Sequence, residues 1–279
     1  MEVLQIHGLC YSATGVTEKV VRTLMEALEK ELGLPGAVFH GFRKPDERAA
    51  DYAFGPGDLV VVGCPTYAGR MPNKIAPDFQ ARLRGNGALA VAAVTFGNRA
   101  YDNSLAELCA LLESGGFHTV AAGAFPGRHA FTDALGEGRP DWDDKRAIQS
   151  FAGQIAGMLC AQREIPPSVE VPGDPEAPYY IPKGLDGQPA KFLKAKPQTD
   201  LGKCCDCGVC ARTCPMGAIN PENVAEVPGT CIKCQSCVRK CTHHAKYFDD
   251  PAFLSHVAML ERDFREPKEI ETFLCSQRS

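Results

Sequence analysis

No apolar run in these 279 residues approaches the roughly 20 that a helix needs to cross a bilayer, so no membrane span is expected. The basic residues are dispersed and the formal charge is -4, which leaves no cationic face for a nucleic acid. The opening MEVLQIHGLCYS has neither a basic n-region nor an apolar h-region. A cytoplasmic, reducing location is therefore expected, and disulfides are not. The GxGxxG run of a dinucleotide site is absent as well.

Cysteine, by contrast, is plentiful, with 14 in the chain. Eight of them form two runs, Cys204, Cys207, Cys210, Cys214 and Cys231, Cys234, Cys237, Cys241, each reading CxxCxxCxxxC. A zinc ribbon uses two separated pairs, so the third and fourth cysteines of each run would be superfluous for a tetrahedral ion. The doubled spacing resembles bacterial-type ferredoxins. That resemblance implies two [4Fe-4S] clusters, with Cys214 and Cys241 each crossing to the cluster held by the other run. Pro215, Gly217, Ala218 and Ile219 continue the ferredoxin pattern after the first run, whereas Cys241 is followed by Thr242, His243 and His244. The missing proline is expected to alter amide hydrogen bonds and water access there, and so the potential of the cluster fed by Cys241. His243 and His244 read either as substitute ligands or as solvent-facing loop residues; Cys205 fits no ligand slot.

A two-cluster module occupies only the last third of the chain, so the preceding residues must build a domain with its own core. The reading is residues 1–162 as that domain, 163–200 as a proline-rich linker, 201–250 as the cluster module and 251–279 as a helical tail. Pro166, Pro167, Pro172, Pro175, Pro178, Pro182, Pro189 and Pro197 stiffen the linker, and Tyr179, Tyr180 and Ile181 are apolar enough to pin it to a domain. In the tail, Phe253, Leu254, Val257, Met259, Leu260 and Phe264 form a stripe expected to pack on the N-terminal domain or on a second subunit, as in a homodimer.

Short apolar runs at Val3–Leu9, Ala37–Phe42, Leu59–Cys64, Ala88–Phe96 and Thr119–Phe125 alternate with helical periodicity. Five buried strands interleaved with helices predict an α/β fold, a parallel doubly wound sheet whose ligand sits at the carboxyl ends of the strands. The loop after the first strand, Ser12, Ala13, Thr14, Gly15, Val16 and Thr17, presents hydroxyls and amides at a helix N-terminus, which suits a phosphate. It matches the (S/T)xTGxT loop of flavodoxins. The loop with Pro65, Thr66, Tyr67 and Gly69, and the loop with Thr95, Phe96, Gly97, Asn98 and Tyr101, stand where flavodoxins cover their flavin.

The N-terminal segment thus resembles a flavodoxin, and the whole chain resembles the flavodoxin-ferredoxin fusion proteins of anaerobic prokaryotes. The resemblance implies a five-stranded flavodoxin-like FMN domain followed by a small α+β ferredoxin module. It further implies an iron-sulfur flavoprotein that moves single electrons between the clusters and FMN, with a redox partner protein as donor or acceptor. Two alternatives stand beside this reading. One is a flavin-dependent reductase of a small quinone-like acceptor, in which His129 reads either as proton donor and Arg128 as anion holder, or both as solvated loop residues. The other is a domain without flavin that serves only for interaction. Arg70 and Arg99 either orient an anion or meet water, and Cys10 and Cys64, at strand ends, are either redox-active or small buried hydrophobes.

Overall fold

The computed structural model describes residues 2–162 and 164–275. Met1, Arg163 at the start of the expected linker and residues 276–279 of the expected tail lie outside them. The central sheet has six strands where five were expected. Five are parallel: β1 (Gln5–Cys10), β2 (Val38–Gly41), β3 (Asp58–Pro65), β4 (Leu89–Phe96) and β5 (His118–Pro126). They lie in the order β2-β1-β3-β4-β5. The sixth, β6 (Glu271–Leu274), comes from the tail and pairs antiparallel with β5. It covers an edge that would otherwise expose unpaired amides.

Strand β4, LAVAAVTF, is buried along its whole length, the pattern of a strand covered on both faces. Helix α1 (Val16–Leu32) turns Val20, Val21, Leu24 and Leu28 to the core and stops at Gly33 in the left-handed conformation. Two glycines let α1 approach the sheet closely. A Cβ at Gly8 would collide with Met25, and one at Gly63 with Val21. Helix α1 packs against α4 (Trp142–Ala161), while α2 (Ala76–Arg82) and α3 (Ser104–Ser114) associate with each other as right-handed crossovers require. Strand order reverses between β1 and β3, so the loops following those strands open onto one crevice.

Residues 164–197 form neither helix nor sheet strand. They are a strap tied down along their course. The Val169 amide donates to the Thr119 carbonyl, the Asp174 amide to Asn103 Oδ1, and the Tyr180 amide to the Ala68 carbonyl. The Tyr179 hydroxyl donates to the Met71 carbonyl at 2.8 Å, whereas Ile181 stays 65% exposed. The strap then leads into the cysteine-rich segment, whose two runs adopt one repeated geometry. Asp206 and Gly208 in the first run have φ of 53° and 68°; Lys233 and Gln235 at the matching places of the second have 56° and 63°. Each run ends in a single helical turn, Val209–Arg212 or Ser236–Arg239.

Helix α5 (Pro251–Asp263) packs on the N-terminal domain. Met259 and Leu260 join Leu135, Phe131 and Phe264 in one cluster, and Phe253 meets Phe131, Phe192 and Phe248. The tail is therefore helix followed by strand, because ETFL beyond the helix finds the free edge of β5. Among the described residues no helix is long and apolar enough to cross a membrane.

Candidate functional site

The first loop carries an unusual run of free donors. Helix α1 begins at Gly15, φ 99°, where no side chain caps the helix. Among the described residues the amides of Thr14, Gly15, Val16 and Thr17 have no acceptor. Four unpaired amides at the positive end of a 17-residue helix dipole fit a phosphate. Ser12 is used locally, its Oγ accepting the Glu18 amide at 3.1 Å.

That loop borders a cavity of about 620 Å³, inside the roughly 300–1,000 Å³ range of ligand pockets. Ala13, Thr14, Val16, Thr17, Pro65, Thr66, Tyr67, Gly69, Thr95, Phe96 and Gly97 all line it, so three loops distant in sequence meet. Their hydroxyls are already partly engaged. Thr17 Oγ1 and Thr95 Oγ1 are 2.7 Å apart, and Thr66 Oγ1 is 2.6 Å from Ser104 Oγ. The strap and the tail supply further walls through Tyr179, Tyr180, Phe192, His256 and Leu260.

Two residues expected at a flavin are committed elsewhere. Tyr101 is 8% exposed and its hydroxyl donates to the Glu271 carboxylate at 2.7 Å. Asn98 Nδ2 donates to the carbonyls of Phe264 and Glu266, clamping the segment between α5 and β6. Both bonds reach the tail, Tyr101 to strand β6 and Asn98 to the segment before it. Arg70 is also structural, with Nε 2.7 Å from Glu107 Oε2 and both side chains largely buried. Arg99 does face the cavity, paired with Asp102 and 4.1 Å from the Tyr180 ring centroid. Cys10 and Cys64 are buried, and desolvation raises both thiol pKa values, so neither is a ready thiolate.

His129 lines the cavity. Burial first, then the charges of His256, Arg239 and Arg99, lower its pKa from 6.5 to about 4. It is neutral at physiological pH. Its Nδ1 accepts the Phe131 amide at 3.1 Å, so the proton resides on Nε2. The imidazole is a hydrogen-bond donor here.

Among the described residues no three His, Cys, Asp or Glu side chains converge as ligands of a single metal ion. Six of the eight run cysteines line two separate spaces. Cys204, Cys207, Cys210 and Cys241 line one small cavity, with Cys205, His243 and Lys246 on its walls. Cys231 and Cys234 line the large cavity. Cys234 is buried, and its thiol pKa is raised by desolvation and then by the neighbouring Cys237, Cys214 and Cys231. Burial, followed by Cys231, pushes Cys237 up to about 12. None of these cysteines is in a disulfide.

Amide donors back these sulfurs. The Ala218 amide donates to Cys214 Sγ and the Ala245 amide to Cys241 Sγ, both at 3.3 Å. The second run thus keeps this bond without its proline. What differs is exposure, since Pro215 is buried and Thr242, His243 and His244 are exposed. Lys246 is 3% exposed, and its Nζ donates to Thr199 Oγ1 and the Val224 carbonyl. Among the described residues no carboxylate pairs with it. A buried cation beside Cys210 and Cys241 fits a negatively charged centre bound by thiolates.

The sequence reading did not include Arg239. Its Nε donates to the Ala130 carbonyl and one Nη to the His129 carbonyl, both at 2.9 Å, and it pairs with Asp133. This side chain joins the second cysteine run to the loop after β5, and nothing in its spacing signals that role.

No protein-family model and no curated protein matches the chain. Among solved structures, a flavodoxin from the domain Archaea is 13% identical, with 56% of this chain and 99% of that one covered at a TM-score of 0.36. Rubredoxin oxygen:oxidoreductase from Desulfovibrio gigas is 22% identical, covering 57% of this chain and 37% of its own, with a TM-score of 0.40. The flavodiiron protein of Giardia intestinalis is 14% identical over 56% of this chain and 36% of its own, with a TM-score of 0.37. At such values the resemblance assigns no family, and function has to be argued from the site.

Proposed function

We propose that the chain is an electron-transfer iron-sulfur flavoprotein that binds FMN in the large cavity and two [4Fe-4S] clusters in the cysteine-rich segment. One observation carries this reading: Cys231 and Cys234 line the same cavity as the three loops that suit a flavin. Cys204, Cys207, Cys210 and Cys241 would hold an outer cluster, and Cys214, Cys231, Cys234 and Cys237 an inner one. Cys205 and Cys207 are exposed, so a partner protein can approach the outer site, while the inner site abuts the flavin cavity. When bound, clusters carry one electron each and FMN one or two, which links single-electron to electron-pair chemistry.

The chain's own residues have defined tasks in this scheme. The amides of residues 14–17 bind the phosphate, and Pro65, Thr66, Tyr67, Phe96 and Gly97 enclose the ring. The Ala218 and Ala245 amides stabilise thiolate charge on Cys214 and Cys241. A reductase of a small acceptor is the second reading, favoured by a cavity that runs past the three loops to Phe131, Phe192 and His256.

Anaerobic purification followed by metal and flavin analysis tests the first reading. About eight irons and one FMN per chain are expected. Zinc in place of iron, or no flavin under conditions that load the clusters, would sink it. A Cys214→Ser variant should then lose the inner centre and block flavin reduction by a ferredoxin-type donor, whereas Cys10→Ser should leave both intact.

A further inference from the structure

One end of the large cavity is walled by Phe131, Tyr180, Phe192 and Leu260, with His256 among them and His129 packed against Gly97 of the third loop. The two imidazoles hold opposite tautomers. His129 Nδ1 accepts the Phe131 amide, which leaves Nε2–H as a donor. His256 Nδ1 lies 2.8 Å from the Lys183 carbonyl oxygen, which can only accept, so Nδ1 holds the proton and Nε2 offers a lone pair. Among the described residues neither Nε2 has a protein partner. The His256 ring stacks on Phe192 with centroids 5.4 Å apart, and the His129 ring sits edge-on to Phe131 at 5.1 Å.

Charge restricts the ligand further. Arg99 is paired with Asp102, and Arg128 and Arg239 are both paired with Asp133. Burial lowers the pKa of both histidines, which favours their uncharged forms. The guanidiniums at this end are tied to carboxylates, two of them to the single Asp133, and the Lys233 ammonium on the cavity wall is taken up by the Leu193 and Cys231 carbonyls. Aromatic walls with one donor and one acceptor suit a flat, neutral ring.

We propose that this end of the cavity binds an uncharged para-quinone, with one carbonyl accepting from His129 Nε2–H and the opposite oxygen, once protonated, donating to His256 Nε2. The inference rests on the reading that FMN occupies the adjoining loops. Reduction takes two electrons from the reduced flavin and two protons from solvent, and turns both C=O groups into C–OH. A quinone is a class of acceptor whose reduction converts an acceptor oxygen into a donor, as the opposed imidazoles demand. The bond to His256 forms only as the product forms, so it favours turnover over initial binding.

The test uses the FMN- and cluster-loaded protein under anaerobic conditions with tetramethyl-1,4-benzoquinone. Its fully substituted ring has no position for adducts with the exposed Cys160 and Cys205. His129→Asn retains an acceptor for the Phe131 amide but deletes the donor, and should raise KM at least tenfold. His256→Asn retains a donor to Lys183 but deletes the lone pair, and should lower kcat at least tenfold with KM little changed. His129→Gln, whose amide reaches the Nε2 position, should recover most of the KM. Unchanged kinetics in both Asn variants would overturn the proposal. So would the absence of quinone reduction by protein that retains flavin and iron and still passes electrons to cytochrome c, an outcome that leaves the electron-transfer reading standing. Loss of flavin from the wild-type protein would overturn both.

Discussion

At the residue scale, burial decides which polar groups are available. His129 has its pKa lowered from 6.5 to about 4, so the unfolded chain takes up a proton at higher pH than the folded one. Its contribution is fully present above pH 6.5 and is lost as pH falls from there toward about 4, by about 3 kcal/mol across the window. Urea midpoints at pH 7.5 and 5.5 should fall farther apart in wild type than in His129→Asn. Lys246 illustrates the opposite case, a charge kept inside. Lys246 lines the same small cavity as Cys204, Cys210 and Cys241, where a positive charge would favour the reduced, more negative state of the proposed cluster. Lys246→Met should therefore lower the outer-cluster potential in an EPR-monitored titration while the inner one shifts less. These residues were legible to different degrees. His129 stands out as a histidine in a strand-end loop, whereas the environment of Lys246 depends on Thr199 and Val224, far away in sequence.

At the level of elements, periodicity foretold the helices and buried strands because each covers a face of one core. Helix α1 and strand β4 show this directly, one through its apolar stripe and the other through continuous burial. Strand β6 was not foretold, since four residues with two exposed carry no pattern of their own and exist as a strand only beside β5. Tyr101 bonds to that strand and Asn98 to the segment before it. A chain ended at Glu266 should lose the Tyr101–Glu271 bond, worth about 1.5–3 kcal/mol for a charged acceptor, and leave the β5 edge bare. Lower urea midpoints and increased light scattering are the expected results. The strap is a similar case: its prolines announced stiffness, but its role as a cavity wall follows from hydrogen bonds to Ala68, Asn103 and Met71.

For the molecule as a whole, one side chain ties the cysteine segment to the loop that borders the large cavity. Arg239 makes three contacts to residues 129–133, two with backbone carbonyls and one with Asp133. Arg239→Ala should cost about 2 kcal/mol of docking. It should slow flavin reduction through the clusters at least tenfold in stopped-flow experiments, while iron and flavin contents remain at wild-type levels. Retained transfer rates would show that docking does not depend on this side chain. The ligand types were readable from local order, because thiolate spacing, a hydroxyl-rich loop before a helix and alternating apolar runs are short-range patterns set by the reach of the backbone. Which cysteines share a space, which aromatics face the cavity and which histidine nitrogen carries a proton were settled only by the packed chain. Several of those contacts join residues more than 100 positions apart, such as Glu271 with Tyr101 and Arg239 with the His129 carbonyl, and local spacing carries no information about them.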